Sequence, residues 1–217
     1  MDARGEPATA TLATLGQRIL AQVVDGFLAF GTFMFVGLTL APRFGGATAT
    51  GFQLEGAPAL LVTAVVTGVL LAYFTFFETL FGATLGKVSA GIRVRRLGGG
   101  RITLGAALLR NLLRALDGLG VYLVGAVLIM VTKQRQRLGD LAARSVVVQR
   151  PTAPWARIAA VAVALALAAV GVFGGYRIRG PVGPGADFPA RPTEQAGVAQ
   201  VRIAQTLSSP GSRRPPP

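Results

Sequence analysis

Three long apolar runs dominate the hydrophobic pattern of the chain. They cover residues 19–40, 58–81 and 158–176, and each contains at most one charged residue. At about 1.5 Å per helical residue, runs of this length can cross the roughly 30 Å hydrocarbon core of a bilayer. The pattern therefore predicts three membrane-spanning helices.

The segment at residues 103–131 is also apolar, but its uncharged part is short. That part, residues 119–131, would form a helix of about 20 Å, which is less than the bilayer core requires. Two interpretations of the segment are open. In the first, a helix spans the membrane with Arg110, Arg114 and Asp117 inside it, where Asp117 can pair with both arginines.

In the second interpretation, residues 103–116 lie on the inner membrane surface as a basic amphipathic helix, and residues 118–131 enter the bilayer without crossing it. Six basic residues follow between positions 133 and 157. A complete span would export all of them against the positive-inside rule. The second interpretation is therefore favoured, and it leaves residues 133–155 in the cytoplasm and the C-terminal tail outside.

The basic residues between the apolar runs predict the orientation of the first two helices. Residues 82–101 contain five of them, whereas residues 41–57 contain one. The positive-inside rule therefore places residues 82–101 in the cytoplasm and makes the first two helices an antiparallel hairpin. Residues 92–97 partly alternate apolar and charged side chains, and the β-branched residues 145–148 can pair with them if both lie on one side.

The predicted fold class is an all-α membrane protein. It is a small bundle of three to four transmembrane or re-entrant helices with a short cytoplasmic two-stranded element. We expect four segments along the chain. They are an N-terminal cytoplasmic leader (1–17), a membrane domain (18–150), an additional C-terminal transmembrane helix (151–177) and a proline-rich, disordered tail (178–217).

Composition supports a membrane protein and excludes several kinds of chemistry. Of the 217 residues, 52% are hydrophobic and 14% are charged, and the mean hydropathy is +0.55. The formal net charge is +13, but the basic residues lie between the apolar runs, where the lipid bilayer is a better partner than nucleic acid. Cysteine and histidine are absent, which removes thiolates, imidazole bases and the usual zinc and iron ligands. We therefore expect no enzymatic activity, no cofactor and no metal site.

Charged side chains inside or beside the apolar runs are the candidate functional residues. Arg18, Gln22 and Asp25 share one face of the first helix, because they are spaced by one and two turns. A carboxylate in a membrane helix is costly unless it faces protein or water, so we expect this face to point into the bundle. Arg18 can then pair with Glu78 or Asp140 across the bundle. The alternative is that Asp25 only joins helices and that Glu78 only marks a membrane boundary.

The loop after the second helix has the glycines and the lysine of a phosphate-binding loop, but not their spacing. Three residues separate Gly82 from Gly86 where four are needed, and Val88 replaces the hydroxyl residue. We therefore exclude nucleotide binding and expect a tight turn beneath the second helix. The supporting charged and polar residues of the candidate site are Gln22, Lys87, Arg110, Arg114 and Asp117.

Several short motifs stand in a fixed order between residues 10 and 150. They are Arg18, Asp25, Glu78, Thr84-Leu85-Gly86-Lys87, Gly91-Ile92-Arg93-Val94, Arg110, Arg137-Leu138-Gly139-Asp140 and Val147-Val148. Their order and spacing resemble the RDD family of membrane proteins, which is named for one arginine and two aspartates. The resemblance implies that Arg18, Asp25 and Asp140 are the naming residues. One departure is Gly139, which stands where family members often have histidine.

The resemblance implies transport of an unidentified ligand. One hypothesis is therefore transport or ion coupling through a membrane-embedded pair of Arg18 and Asp25, with a small ion or a small molecule as ligand. Because three or four spans are few for a transporter, this hypothesis needs a homo-oligomer. The other hypothesis is a non-transporting scaffold or assembly factor that binds lipid or a protein partner through its basic inner surface. Both place the chain in a cell membrane as a multi-pass protein, and we expect the bacterial cytoplasmic membrane.

Overall fold

The computed structural model describes residues 11–119 and 123–181. The predicted leader up to residue 10 and the predicted tail from residue 182 lie outside these residues, and so does the side chain of Asp117. In chain order the elements are α1 (Leu15–Leu40), a 3-10 turn (Ala41–Phe44), α2 (Gly56–Phe81), α3 (Leu85–Ser89), β1 (Ile92–Arg96), α4 (Leu104–Leu119), α5 (Leu123–Val131), α6 (Leu138–Ala142), β2 (Ser145–Gln149) and α7 (Pro154–Arg179).

Among the described residues, three helices are long and apolar enough to cross a membrane: α1 with the turn that follows it, α2 and α7. This confirms the three predicted spans. α1 begins before the apolar run because Thr14 and Gln17 form a capping box. The Thr14 hydroxyl accepts a hydrogen bond from the Gln17 amide (3.2 Å), and Gln17 Oε1 accepts one from the Thr14 amide (3.0 Å). α7 begins at Pro154, which the first turn of a helix accommodates.

α1 and α7 run in the same direction and pack through small residues. A Cβ added to Gly31 would lie 2.5 Å from the Cα of Ala168, and one added to Gly171 would lie 2.5 Å from the carbonyl oxygen of Gly31. Farther along, a Cβ added to Gly175 would lie 3.0 Å from the Leu38 side chain. Backbones this close require residues with little or no side chain, as in other small-residue contacts between membrane helices. The predicted additional helix is therefore held directly against the first span.

The side chains of α7 contact both ends of the bundle. At one end, Arg157 Nε donates to the carbonyl oxygen of Ser89 in α3 (2.8 Å). At the opposite end, Arg179 donates to the carbonyl oxygens of Gly51 (2.9 Å) and Ala49 (3.3 Å) in the loop between α1 and α2. That loop and α3 therefore lie at opposite ends, as an antiparallel α1–α2 hairpin requires.

The two predicted strands form a small antiparallel sheet at the end of the bundle that carries α3. Val94 of β1 faces Val147 of β2 in the register, and both side chains are buried together with Ile92 and Ala13. The Ala13 amide also donates to the Val147 carbonyl oxygen (2.9 Å), which ties the residues just before α1 to the sheet. The prediction of a short two-stranded element is confirmed.

The segment at residues 103–131 forms α4 and α5, and neither has the length and hydropathy of a span. α5 has nine residues, which corresponds to about 13 Å of helix. Because β2 pairs with β1, the chain after α5 is back at the end of the bundle that it left. The first interpretation, a complete third span within this segment, is therefore wrong, because the chain enters and leaves the segment at the same end of the bundle.

Candidate functional site

Five charged side chains form one buried network at the end of the bundle that carries the sheet. We define this charge network as Arg18 in α1, Glu78 in α2, Lys87 in α3, Arg110 in α4 and Asp140 in α6. Each of them is at most 5% exposed. A buried charge is costly unless a partner of opposite charge and good geometry compensates it. Five separate elements are thus held together by the charges that they contribute.

Arg18 connects the first span to α6. Its Nη1 donates to Asp140 Oδ2 (2.8 Å), and its Nη2 donates to the backbone carbonyl oxygen of Arg135 (2.6 Å). The predicted link between Arg18 and a carboxylate across the bundle is confirmed, with Asp140 as the partner. Asp25 lies two turns farther along α1 and contacts other elements, so the two charges of α1 do not form a pair with each other.

Arg110 joins the two carboxylates of the charge network. Its Nε donates to Asp140 Oδ1 (2.6 Å), and its Nη1 donates to Glu78 Oε2 (2.5 Å). Burial acts to lower the pKa of Arg110, but Glu78 and Asp140 outweigh it and raise that pKa above its ordinary value. At Asp140, burial acts to raise the pKa, but Arg110 and Arg18 outweigh it and hold that pKa well below its ordinary value. Arg110 and Asp140 therefore stay charged at neutral pH.

Glu78 accepts hydrogen bonds from two further elements of the site. Lys87 Nζ donates to Oε1 (2.7 Å), and Asn111 Nδ2 donates to Oε2 (3.0 Å). Burial lowers the pKa of Lys87 to about 8, although Glu78 opposes that shift. Asn111 is fixed in orientation because Nδ2 also donates to the Ala107 carbonyl oxygen (2.9 Å). Its Oδ1 is buried and has no hydrogen-bond partner among the described residues.

Asp25 is buried as well, but neutral groups hold its carboxylate. Thr84 Oγ1 donates to Oδ2 (2.7 Å), the Gly86 amide donates to Oδ1 (2.9 Å), and the Tyr73 hydroxyl donates to Oδ1 over a longer distance (3.4 Å). The Tyr73 oxygen in turn accepts a hydrogen bond from the Leu85 amide (3.1 Å). Asp25 and Tyr73 thereby satisfy two backbone donors in the first turn of α3.

The loop after α2 is built to bring α3 against α1. Gly82 ends α2 with a φ of 71°, a left-handed conformation that favours glycine. Thr84 then caps α3 and accepts a hydrogen bond from the Lys87 amide (3.4 Å). A Cβ added to Gly86 would lie 2.0 Å from the carbonyl oxygen of Ala21. The predicted tight turn is confirmed, and it serves to place Lys87 under Glu78.

α6 approaches α4 with similar closeness. A Cβ added to Gly139 would lie 2.5 Å from the carbonyl oxygen of Arg110. The histidine that the resemblance suggests at this position would therefore not fit the packing of this chain. Asp140 is further held by the Arg137 amide, which donates to its Oδ2 (3.2 Å) in the first turn of α6.

Two half-buried arginines lie beside the charge network. Arg114 Nη2 donates to Gln22 Oε1 (2.5 Å), and the Arg114 guanidinium lies over the Phe74 ring, 3.8 Å from its centroid. Burial lowers the pKa of Arg137 to about 10; Asp140 opposes this shift, and the neighbouring arginines strengthen it. Arg114 and Arg137 thus add positive charge around ion pairs that are already formed.

A small cavity lies among these groups. Its volume of about 10 Å³ corresponds to the space of about one water-sized particle. The lining comes from α1, α3, α4 and the start of α6, with part of the sheet behind it. Its charged lining residues are Arg18, Asp25, Lys87, Arg114 and Arg137.

All the predicted site residues with described side chains therefore belong to the charge network or border it. The predicted pairing of Asp117 with Arg110 and Arg114 involves a side chain outside the described residues, and Arg110 contacts Glu78 and Asp140 instead. Sequence reasoning did not single out Tyr73, Thr84 or Asn111 as site residues. Thr84 carried a signal, because threonine directly before a short helical segment favours an N-cap.

Among the described side chains, no group of three or more acids is placed to hold a metal ion. The arrangement is instead a set of ion pairs and hydrogen bonds that leaves one carboxylate, Asp25, on neutral donors. What it offers chemically is a buried, charged environment around a small cavity at one end of a membrane bundle.

The fold and the charge network together define an integral membrane protein with three apolar helices, whose charged end is held by buried ion pairs. A family model, described as the RDD family, matches residues 12–144, which is more than half of the chain. The chain belongs to the RDD family. α7 lies beyond the matched residues. No curated protein and no solved structure matches the chain.

Proposed function

We propose that this protein is a transport or ion-coupling protein, not an enzyme, and that Asp25 is the carboxylate that takes up and releases a proton. The observation that carries the proposal is the contrast between Asp25 and the other two buried acids. Glu78 and Asp140 each contact two cations, whereas the hydrogen bonds to Asp25 come from hydroxyl and amide groups. Protonation of Asp25 therefore breaks no ion pair.

The surroundings of Asp25 support a role in charge movement. Titratable and charged groups face it from each element packed around the cavity: Tyr73 from α2, Lys87 from α3, Arg114 from α4, Arg137 from the start of α6 and Arg18 from α1 itself. An ionisable residue inside a membrane helix is costly, and such residues commonly mark ion or substrate pathways. A change in the charge of Asp25 acts directly on these neighbours.

The proposal also specifies the membrane, the ligand and the oligomeric state of the protein. We propose that it lies in the bacterial cytoplasmic membrane, that its ligand is a small ion or small molecule, and that it works as a homo-oligomer. It needs no nucleic acid. An oligomer is invoked because three spanning helices enclose little space for a pathway, and adjoining copies can supply the missing walls.

The test is ion flux in proteoliposomes across an imposed pH gradient, for the native chain and for Asp25→Asn. Asparagine nearly preserves the shape of the side chain. Its Oδ1 can accept from the Gly86 amide, and its Nδ2 can donate to the Thr84 hydroxyl, which is also able to accept. We expect flux to be lost at an unchanged level of folded protein. Flux equal to that of the native protein in the asparagine variant would refute the role of Asp25.

A second candidate function is a non-transporting scaffold, which is favoured by the fact that the charge network joins α1, α2, α3, α4 and α6. In this case Asp25 only anchors α3 to α1. Asp25→Asn would then change the abundance or the stability of the protein, and native proteoliposomes would carry no flux above that of empty ones.

The orientation of the protein in the membrane can be tested separately. We propose that the charged end faces the cytoplasm, because the segments around the sheet hold most of the basic residues between the spans. A reporter that is active only in the cytoplasm should be active when it is fused after Arg150 and silent when it is fused after Pro217. A cysteine at Thr48 should be labelled from outside, and a cysteine at Gly99 should not. The opposite pattern would invert the topology.

A further inference from the structure

The cavity at the charged end is surrounded by more positive than negative charge. Among the side chains that the structure describes, the charge network and its neighbours include five cations and three carboxylates. The cations are Arg18, Lys87, Arg110, Arg114 and Arg137, and the carboxylates are Asp25, Glu78 and Asp140. Two positive charges are therefore in excess within this set.

The two arginines beyond the network account for this excess. Arg114 donates to the neutral Gln22 and lies over the Phe74 ring. Arg137 lines the same cavity, and the lowering of its pKa reflects burial together with the repulsion of neighbouring arginines. Cations that are gathered in a partly dehydrated site attract a counter-ion strongly, because the effective dielectric constant there is lower than in water.

Arg18 supplies a second and independent observation. Its Nη1 and Nη2 are engaged by Asp140 and by the carbonyl oxygen of Arg135, but its Nε is buried without a hydrogen-bond partner. The side chain is 5% exposed and lines the cavity. A buried guanidinium N–H without an acceptor is unfavourable, so an anion bound next to this guanidinium would satisfy it.

We propose that this cavity is a binding site for a halide-sized anion, held by Arg18, Arg114 and Arg137. The cavity has the space of about one water-sized particle, so a single-atom halide, which is only slightly larger than water, fits it better than a polyatomic phosphate or carboxylate. The oxygens of Glu78 and Asp140 are turned to their own cations. Asp25 is the carboxylate in the lining of the cavity, and its negative charge weakens the binding of the anion by repulsion.

The test is equilibrium dialysis of the purified full-length protein in a neutral detergent, with radioactive chloride in a gluconate buffer. We expect saturable binding of one chloride per chain. Arg114→Gln and Arg137→Gln should each weaken it by about tenfold or more, since each removes one nearby unit charge. Asp25→Asn should strengthen it by a similar factor, because it removes the negative charge from the lining. A gain of affinity cannot result from misfolding.

Arg96→Gln is the matched control, because Arg96 is an exposed arginine at the same end of the bundle, in β1. Its removal should leave chloride binding unchanged. No saturable binding to the native protein would mean that the cavity holds only water and would overturn the proposal. Equal weakening by Arg96→Gln and Arg114→Gln would overturn it too, because it would indicate general attraction to a basic surface. These outcomes are independent of the proposed transport, since binding is measured without a membrane gradient.

Discussion

The charged end of the bundle and the α1–α7 interface hold helices together by different means. At the charged end, each element contributes one charged side chain, and the partners are far apart in the chain: 122 positions separate Arg18 from Asp140. At the α1–α7 interface, the backbones themselves meet at Gly31, Ala168 and Gly171. One region depends on which groups are charged, and the other depends on how small the residues are.

This difference predicts different responses to mutation. Loss of one member of a buried ion pair leaves its partner charged and without compensation, so the cost is large. Enlargement of a residue at a close helix contact forces the helices apart by an amount that grows with the size of the new side chain. The charged end should therefore be sensitive to charge and pH, and the α1–α7 interface should be sensitive to volume alone.

The largest loss is expected for Arg110→Ala at the charged end. Because Arg110 is shared by Glu78 and Asp140, its removal should lower the free energy of unfolding by about 3–5 kcal/mol. Denaturant unfolding of the purified protein in detergent measures this. The matched control is Arg96→Ala, an exposed arginine whose loss should cost less than about 0.5 kcal/mol. Equal losses for the two variants would contradict the structural role of the charge network.

A second prediction is that the contribution of the charged end to stability depends on acid pH, whereas that of the α1–α7 interface does not. Because the pKa of Asp140 is held below its ordinary value of 3.8, the ionised form stabilises the fold. That contribution is fully present above the ordinary pKa and is lost as the pH falls through the lower pKa of the folded state. The native protein should therefore lose stability below about pH 4, and Asp140→Asn should lose less over the same range. A stability difference between the two proteins that stays constant down to about pH 3 would argue against this contribution.

The α1–α7 interface should instead be destabilised by larger side chains. Gly31→Val places new atoms against the backbone of Ala168, and the expected loss is about 1–3 kcal/mol with no added dependence on acid pH. Gly68→Val in α2 is the matched control, because a Cβ added there has no other atom within 4 Å. Thermal unfolding in detergent should rank Gly31→Val clearly below Gly68→Val. The same melting temperature for both would mean that α7 is not packed against α1 as described.

The smallest effect is expected at the end of α7 opposite to the charge network. Arg179→Ala removes the hydrogen bonds to the carbonyl oxygens of Thr48, Ala49 and Gly51, and should cost about 1 kcal/mol. Arg177→Ala is the control, since Arg177 is exposed on the same turn. Limited proteolysis of the loop between α1 and α2 should become faster in the first variant only. Equal rates of cleavage would show that Arg179 does not hold the loop.

Most of the residues that form the charged end could be predicted from the sequence. Arg18, Asp25 and Glu78 stood out because charges inside or beside apolar runs require partners. What could not be predicted was which groups pair. That choice depends on the close approach of α3 at Gly86 and of α6 at Gly139, and a glycine in a loop does not reveal which backbone it will meet.

The packing of α7 against α1 also could not be predicted from the sequence. α7 was predicted as a span from its apolar length, but glycine and alanine are common in membrane helices and do not identify a partner. The return of residues 103–131 to one side could be predicted from the sequence, because their uncharged part, residues 119–131, is short and six basic residues follow it. The orientation of Asn111, in contrast, follows from its contacts with Glu78 and Ala107, which only the structure supplies.

The separation of Arg18 from Asp140 has a consequence for biogenesis. At a synthesis rate of about 5–20 residues per second, the ribosome needs roughly 6–24 s to add the 122 positions between them. The first span therefore emerges well before its ionic partner exists. The donors for Asp25, Thr84 and Gly86, are made sooner, so Asp25 is satisfied earlier than Arg18. Until α6 is complete, the Arg18 guanidinium needs another acceptor, which water, lipid headgroups or the insertion machinery can supply. A lesion in α6 should then appear as a defect in the membrane integration of α1.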